Sequence, residues 1–141
     1  MSRYLLDTSV VAAPMHPAVS ETLRGRITRI EDLSAIASIV LDEMLFGVLR
    51  LPAGRRRADL LASIHELISG GTPVLPFDQA AAEWHAAERA NLSQIGRTPP
   101  FADGQIAAVA AANDLTLCTL NPRDFEPFHG VRVEDWSAAA G

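Results

Sequence analysis

Short apolar runs alternate with longer helical patterns along this chain. Four runs have the length and apolar character of buried strands, and a fifth resembles a short edge strand; they lie at residues 4–6, 35–37, 72–75, 115–119 and 131–133. The intervening stretches predict helices at residues 10–15, 18–30, 39–49, 55–69, 79–94 and about 103–113. This alternation predicts an α/β fold, a three-layer α/β/α sandwich with a mostly parallel sheet of four to five strands.

The predicted helix at residues 39–49 differs from the others because it is apolar nearly all round. We therefore expect it to be largely buried, with Ser38 as its cap. Glu43 interrupts its apolar surface, and Gly47 follows one turn later on the same side. That spacing predicts a hollow beside the Glu43 carboxylate. Asp78 is expected to cap the helix at residues 79–94.

Length and composition limit the class of protein. The 141 residues predict one domain, residues 1–141, and there is neither an apolar run of membrane-spanning length nor a secretory signal pattern. One cysteine, Cys118 in a strand pattern, is expected to be a buried core residue in a protein of the reducing cytoplasm. Trp136 is expected to anchor the C-terminal end.

The charge balance argues against a simple nucleic-acid coat, because the net charge is −5. All 12 basic residues are nevertheless arginine, whose planar fork suits phosphate. Seven of them form two groups, one within residues 24–29 and one within residues 50–57. The groups include the residues that we expect to guide a nucleic-acid backbone: Arg24, Arg26, Arg55 and Arg56. The ordinary alternative is a solvated helix face.

Acidic residues stand where a parallel sheet gathers its functional groups. Asp7 ends the first strand, Asp124 follows the fourth, and Glu43 lies one turn into a helix after the second. Asp103 follows Pro99 and Pro100 in the first turn of a helix, where the dipole favours a carboxylate. Because sites form at the carboxyl ends of parallel strands, we expect these acids to share one rim.

A shared rim of carboxylates predicts a divalent ion. Hard cations such as Mg²⁺ and Mn²⁺ prefer carboxylate and water oxygens, and uncompensated acids would repel one another. The small residues Gly104 and Ala107 are expected to leave room beside Asp103 for a cation and a phosphate.

Each acid also has an ordinary structural explanation. Asp7 and Asp103 would then only cap or face the start of a helix, and Glu43 would form a salt bridge with an arginine. Asp124 and Asn121 would only shape the turn after the fourth strand.

Other chemistry is less well supported by the residue pattern. The four histidines include no pair at zinc-ligand spacing on one helix. His85 and Glu88 share a helix face, which is more typical of a solvated pair than of a metal site.

Four segments together resemble a known family: Leu6-Asp7-Thr8-Ser9, the helix with Ser38, Glu43 and Gly47, residues 101–108 and residues 117–125. They are similar to the PIN domain, and more narrowly to VapC-type toxins of type II toxin–antitoxin systems in their FitB-like branch. The resemblance extends from Leu5 to about Val133. It implies a metal-dependent endoribonuclease that uses Mg²⁺ or Mn²⁺.

Carried over by position, the resemblance implies that Asp7, Glu43 and Asp103 are the catalytic acids and the metal ligands. Thr8 and Ser9 match hydroxyls that flank the first acid. The fourth acidic position falls in the segment after the fourth strand, where either Asp124 or Asn121 would serve. The family also implies a homodimer that is inhibited by a VapB-like antitoxin, which, rather than this chain, would bind operator DNA.

Two other functions remain open from the residues alone. One is a catalytically silent PIN-like interaction module that dimerises through its apolar helices. The other is a DNA nuclease with the same metal chemistry, because a carboxylate–metal site does not itself recognise a 2′-hydroxyl.

Overall fold

The computed structural model describes residues 1–141 and contains a five-stranded parallel sheet. Its strands, in the spatial order β3-β2-β1-β4-β5, are β1 (Tyr4–Leu6), β2 (Ser34–Ala37), β3 (Val74–Leu75), β4 (Thr116–Thr119) and β5 (Arg132–Asp135). Every neighbouring pair is parallel. The first strand is therefore central, and the residues after β1 and β4 emerge side by side at one rim.

Seven α-helices connect or follow the strands: α1 (Thr8–Val11), α2 (Glu21–Arg29), α3 (Ser38–Leu49), α4 (Arg55–Ser69), α5 (Gln79–Gln94), α6 (Phe101–Ala112) and α7 (Ser137–Ala140). Short 3₁₀ turns occur at Ala13–Met15, Glu31–Leu33 and Pro122–Asp124. The predicted helix at residues 10–15 is thus α1 plus a 3₁₀ turn. None of the helices has both the length and the apolar character needed to cross a membrane.

Both faces of the sheet are covered. Successive residues of a strand point to opposite faces, and Ala35, Ile36 and Ala37 in β2 are all fully buried. Leu5 and Leu6 in β1 show the same pattern. Sequential burial of this kind is what a parallel sheet between two helical layers requires, so the predicted α/β fold is confirmed.

The ends of the helices follow local chemistry in most cases. Asp78 caps α5 as predicted, because its Oδ1 accepts a hydrogen bond from the Ala81 backbone N–H at 3.0 Å. The prediction for Ser38 is wrong: α3 begins at Ser38 itself, and Ala37 occupies the capping position without a side-chain bond. The apolar β2 strand therefore passes directly into α3.

The expectation that α3 is largely buried is also wrong. Val40, Met44 and Val48 are buried, but Phe46 is 61% exposed and Leu49 is 48% exposed. Composition indicates that a helix can be buried, whereas the neighbouring elements decide which of its faces is covered. Within this chain, α3 has one covered face and one apolar face in solvent.

The C-terminal segment is fastened by Trp136, as predicted. Its indole is 1% exposed, and its Nε1 donates to Glu134 at 3.1 Å. The Arg26 guanidinium lies 4.2 Å from the ring centroid and binds Glu134 at 2.6 Å. This cluster ties α2 to the end of β5.

Candidate active site

Asp7 is held rigidly where β1 ends. Its Oδ1 accepts from the Thr8 N–H at 2.8 Å, so it caps α1, and its Oδ2 accepts from the Ser9 and Thr119 hydroxyls, both at 2.8 Å. The side chain is mostly buried. Capping and a functional position are therefore compatible for this residue, because the three donors fix one orientation of its carboxylate.

Thr119 is the site residue that sequence reasoning missed. Its hydroxyl is fully buried, donates to Asp7 and accepts from the Asn121 N–H at 2.9 Å. It thereby joins the end of β4 to the end of β1. The signal was a hydroxyl at the last position of the strand, but that signal does not reveal which strand lies alongside.

Glu43 is exposed and forms no ion pair with an arginine. Its Oε1 accepts from the Thr8 Oγ1 at 3.0 Å. The salt-bridge explanation for Glu43 is therefore wrong. Thr8 instead connects two acids, because its N–H binds Asp7 while its hydroxyl binds Glu43.

Asp103 provides the electrostatic evidence that the acids are close together. Its pKa is raised to about 6, first by burial and then by the negative charges of Asp124, Asp7 and Glu43. The two ion pairs of the chain, Arg26–Glu134 and Arg132–Asp114, involve none of these four acids. Four separate segments thus contribute to one cluster of carboxylates that no arginine neutralises.

The segment after β4 places a further acid near the cluster. Asp124 lies in the 3₁₀ turn Pro122–Asp124, and its charge acts on Asp103. The Asn121 side chain makes no hydrogen bond, and only its backbone N–H contacts the site, through Thr119. Asp124 therefore adds its negative charge to the acidic cluster, and the choice between Asp124 and Asn121 as the fourth site residue stays a prediction.

The space expected beside Asp103 is already occupied on one side. A Cβ added at Gly104 would lie 2.3 Å from the Nε2 of His85, and Ala107 is fully buried in the core. Gly104 therefore accommodates His85 rather than a phosphate, and the predicted solvated pair of His85 and Glu88 is wrong. The His85 ring is buried, with its centroid 4.9 Å from that of Phe101.

A cavity of about 390 Å³ opens beside Glu43. Gly47 lies in its wall. No atom lies within 4 Å of the position that a Cβ on Gly47 would take, which confirms the predicted hollow. Thr8, Arg50 and Arg56 contribute polar groups to the wall, and the apolar lining includes Met44, Leu51, Leu60 and Ile64.

The candidate arginines have different surroundings. Arg26 is engaged by Glu134 and Trp136, so the expectation that it guides nucleic acid is not supported by its contacts. Arg24, Arg55 and Arg56 are exposed, and of these Arg56 lines the cavity beside Glu43.

The acids suit a hydrated divalent ion in their chemistry. No three acidic, histidine or cysteine side chains are arranged so that all could hold one ion directly. Mg²⁺ commonly binds one or two protein carboxylates and keeps several waters, so it does not require three direct ligands. The unneutralised charge on Asp7, Asp103, Glu43 and Asp124 is what such an ion would compensate.

Comparisons with known proteins find a matching family model and several relatives of similar length. The family model described as PIN domain matches residues 4–128. The tRNA(fMet)-specific endonuclease VapC of Shigella flexneri is 31% identical over 137 residues, covering 97% of this chain and all of that protein. Toxin FitB of Neisseria gonorrhoeae is 32% identical over 127 residues, covering 86% and 89% of the two chains.

A solved structure gives the same result for the fold. The crystal structure of DNA-bound VapBC from Salmonella typhimurium contains a chain with a TM-score of 0.85 and 30% identity to this one. The match covers 96% of this chain and 99% of that chain.

Proposed function

Because this chain belongs to the PIN domain family, and within it to the VapC and FitB toxins, we propose that it is the toxin of a type II toxin–antitoxin system. Its proposed activity is divalent-metal-dependent endoribonuclease cleavage. The observation that carries the proposal is that acids from four separate segments meet at one rim: Thr8 binds both Asp7 and Glu43, and burial together with the charges of Asp124, Asp7 and Glu43 raises the pKa of Asp103 to about 6.

Asp7 and Asp103 are proposed to hold Mg²⁺ or Mn²⁺, with Glu43 binding through water or orienting the attacking water. Asp124 is proposed as the fourth acid. Such an ion would supply charge neutralisation at the phosphate and a lowered pKa of water. Thr8, Ser9 and Thr119 are proposed to keep the Asp7 carboxylate in one orientation through their hydrogen bonds.

RNA is the proposed substrate, in a single-stranded or looped form whose backbone can reach the rim. The Shigella relative is named as specific for tRNA(fMet), which makes that tRNA the first substrate to test. Water, rather than the RNA 2′-hydroxyl, is the proposed nucleophile, so the products would carry a 5′-phosphate and a 3′-hydroxyl. Arg56, which lines the cavity beside Glu43, and the adjacent Arg55 are the proposed contacts to the RNA backbone.

A VapB-like antitoxin is the proposed partner, and the proposed compartment is the cytoplasm. The cavity beside Glu43 supports the partner because it combines an apolar lining with an unneutralised carboxylate. An antitoxin segment could place apolar side chains on that lining and an arginine against the acids. Contact with operator DNA would then be made by the antitoxin.

The decisive experiment compares RNA cleavage by wild type, Asp7→Asn, Asp103→Asn and the control Asp59→Asn. Asp59 is exposed on α4 and outside the acidic cluster, so its variant should keep full activity. The two cluster variants should lose at least about a hundredfold in rate, because each removes a charge that the transition state requires. Chelation with EDTA should abolish wild-type cleavage.

The other outcomes separate the alternatives. Equal cleavage of single-stranded DNA would indicate a general nuclease. A folded protein that binds its antitoxin but cleaves neither nucleic acid in Mn²⁺ would be a silent module. Full RNA cleavage in EDTA would refute the metal-dependent mechanism.

A further inference from the structure

A further cavity, of about 410 Å³ and with a largely polar wall, lies where the chain passes from α5 to α6. Arg89, Ser93, Arg97, Thr98 and Phe101 contribute most of its functional groups, and no acidic residue lines it. Neither arginine forms a salt bridge. In a chain with a net charge of −5, this wall therefore presents two uncompensated positive charges.

Phe101 gives the cavity an aromatic surface. Its side chain is 53% exposed. The Arg89 guanidinium lies 4.8 Å from its ring centroid, and the His85 ring meets it at a 69° interplanar angle. The ring is thus held in place by neighbours while part of it stays in solvent. An aromatic ring beside arginines is typical of surfaces that bind single-stranded nucleic acid.

The position of this cavity relates it to the acidic cluster. Phe101 and Asp103 lie in the same first turn of α6, on opposite sides of the helix. The cavity and the acids are therefore separated by roughly one helix diameter, about 10 Å. Single strands commonly occupy about 4–16 nucleotides on a binding domain, so one strand can contact both.

We propose that Arg89 and Arg97 bind phosphates of the RNA strand flanking the cleavage position and that one base stacks on Phe101. This inference rests on the proposed ribonuclease function and assigns a substrate path to residues outside the acidic cluster. The Ser93 and Thr98 hydroxyls supply further donors for phosphate oxygens.

Fluorescence anisotropy with a fluorescein-labelled single-stranded RNA tests the path in the Asp103→Asn background, where cleavage is removed. The dissociation constant is measured over a series of salt concentrations in EDTA. The Arg89→Gln/Arg97→Gln variant removes two phosphate contacts. The logarithm of its association constant should therefore fall less steeply with the logarithm of the salt concentration, with a slope shallower by about 1.4, or about 0.7 for each phosphate. Phe101→Leu should weaken binding by about tenfold with little change in slope.

Two further double variants make the comparison specific. Arg89→Lys/Arg97→Lys keeps both charges and should retain the wild-type slope. Arg3→Gln/Arg29→Gln is the matched control, because it also removes two exposed arginines, one of which lies over an aromatic ring. Arg3 precedes β1 and Asp7 follows it, so the two residues lie at opposite ends of this central strand. In the catalytically intact protein, the Arg89/Arg97 glutamine variant should raise KM and leave kcat unchanged.

An unchanged slope and affinity in the Arg89/Arg97 variant would overturn the inference. The inference would also be overturned if the Arg89/Arg97 variant differed from wild type in the molecular mass measured by sedimentation but not in RNA binding. The cavity would then contact a second copy of the chain. If either of these results is found and the wild-type protein still cleaves RNA, the proposed function stands and only the proposed RNA path over Arg89, Arg97 and Phe101 is wrong. Wild-type protein that neither binds nor cleaves RNA would overturn both.

Discussion

At the scale of single residues, the Asp7 carboxylate is oriented by two hydroxyls and a backbone N–H rather than by an arginine. The Thr119 hydroxyl is the most buried of these donors, and it also satisfies the Asn121 N–H. A buried polar group that loses its partner costs more free energy than the bond itself contributes. The order of the site therefore depends on a residue that would not itself contact RNA.

Thr119→Val keeps the shape of the side chain and removes its hydroxyl. We expect the free energy of unfolding to fall by about 1–3 kcal/mol, because Asp7 loses a donor and the Asn121 N–H loses its acceptor. Urea denaturation measures the loss, and kcat for RNA cleavage should fall as well. Thr22→Val, at an exposed position without a hydrogen bond, is the control. Equal stability of the two variants would contradict the argument.

Asp103 makes stability depend on pH in a defined direction. Its pKa is raised in the folded protein from about 3.8 to about 6, so the folded state binds more protons than the unfolded state between these values. The free energy of unfolding contributed by this group therefore falls as pH rises from about 4 to 6, and it stays low above that range.

Asp103→Asn removes this charge, so we expect it to stabilise the metal-free protein at pH 8 more than at pH 5. The gain at pH 8 should be about 1 kcal/mol, well below the full pKa shift, because the half-exposed side chain is screened by solvent. Thermal unfolding in EDTA measures it. Adding Mn²⁺ should raise the melting temperature of wild type more than that of the variant. A stabilisation that does not change with pH would show that charge repulsion is not its cause.

At the scale of elements, two helical glycines have opposite surroundings. Gly104 lies in α6 against His85 of α5, so these two helices approach closely just beside Asp103. Gly47 lies in α3 beside an open cavity. Both are glycines in helices, but only one is required by packing.

The pair Gly104→Ala and Gly47→Ala tests this difference. Gly104→Ala should lower the free energy of unfolding by about 1–3 kcal/mol, because the added methyl group overlaps His85. Gly47→Ala should raise it by about 0.5–1 kcal/mol, because alanine favours the helix and meets no neighbour. Urea midpoints provide the measurement. Shifts of the same sign in both variants would contradict the packing argument.

At the scale of the whole molecule, we propose the exposed face of α3 as the interface of the homodimer that the family resemblance implies. Phe46 and Leu49 are three residues apart, so they lie on one face of the helix, and both are exposed. A stable interface buries at least about 1,000 Å² in total and usually includes apolar anchors of this kind. A second copy of the chain would complete the burial that the sequence pattern of α3 predicts.

Phe46→Glu should therefore convert a dimeric toxin into a monomer, because it places a charge in the apolar centre of the contact. Sedimentation equilibrium of the purified toxin measures the change. Val133→Glu, at a partly exposed position on the edge strand β5, is the control and should leave the mass unchanged. A wild-type monomer, or a dimeric Phe46→Glu protein, would exclude α3 as the interface.

The family and most of the elements were predictable because their signals are local. Run length, turn residues and the order of four motifs correctly predicted α4 and α5, the parallel sheet and the PIN family. The rim position of Asp7 followed from its place after a buried strand. The site roles themselves remain predictions that the Asp7 and Asp103 variants test.

The sequence by itself determined which residues form strands and helices and which acids follow them, because these properties depend on neighbours in the chain. Only the tertiary structure decided that Thr119 holds Asp7, that the charge of Asp124 acts on Asp103, and that Gly104 accommodates His85. Each of these contacts joins segments distant in the chain. Their existence depends on how the helices pack on the sheet, which residue types and spacing do not specify.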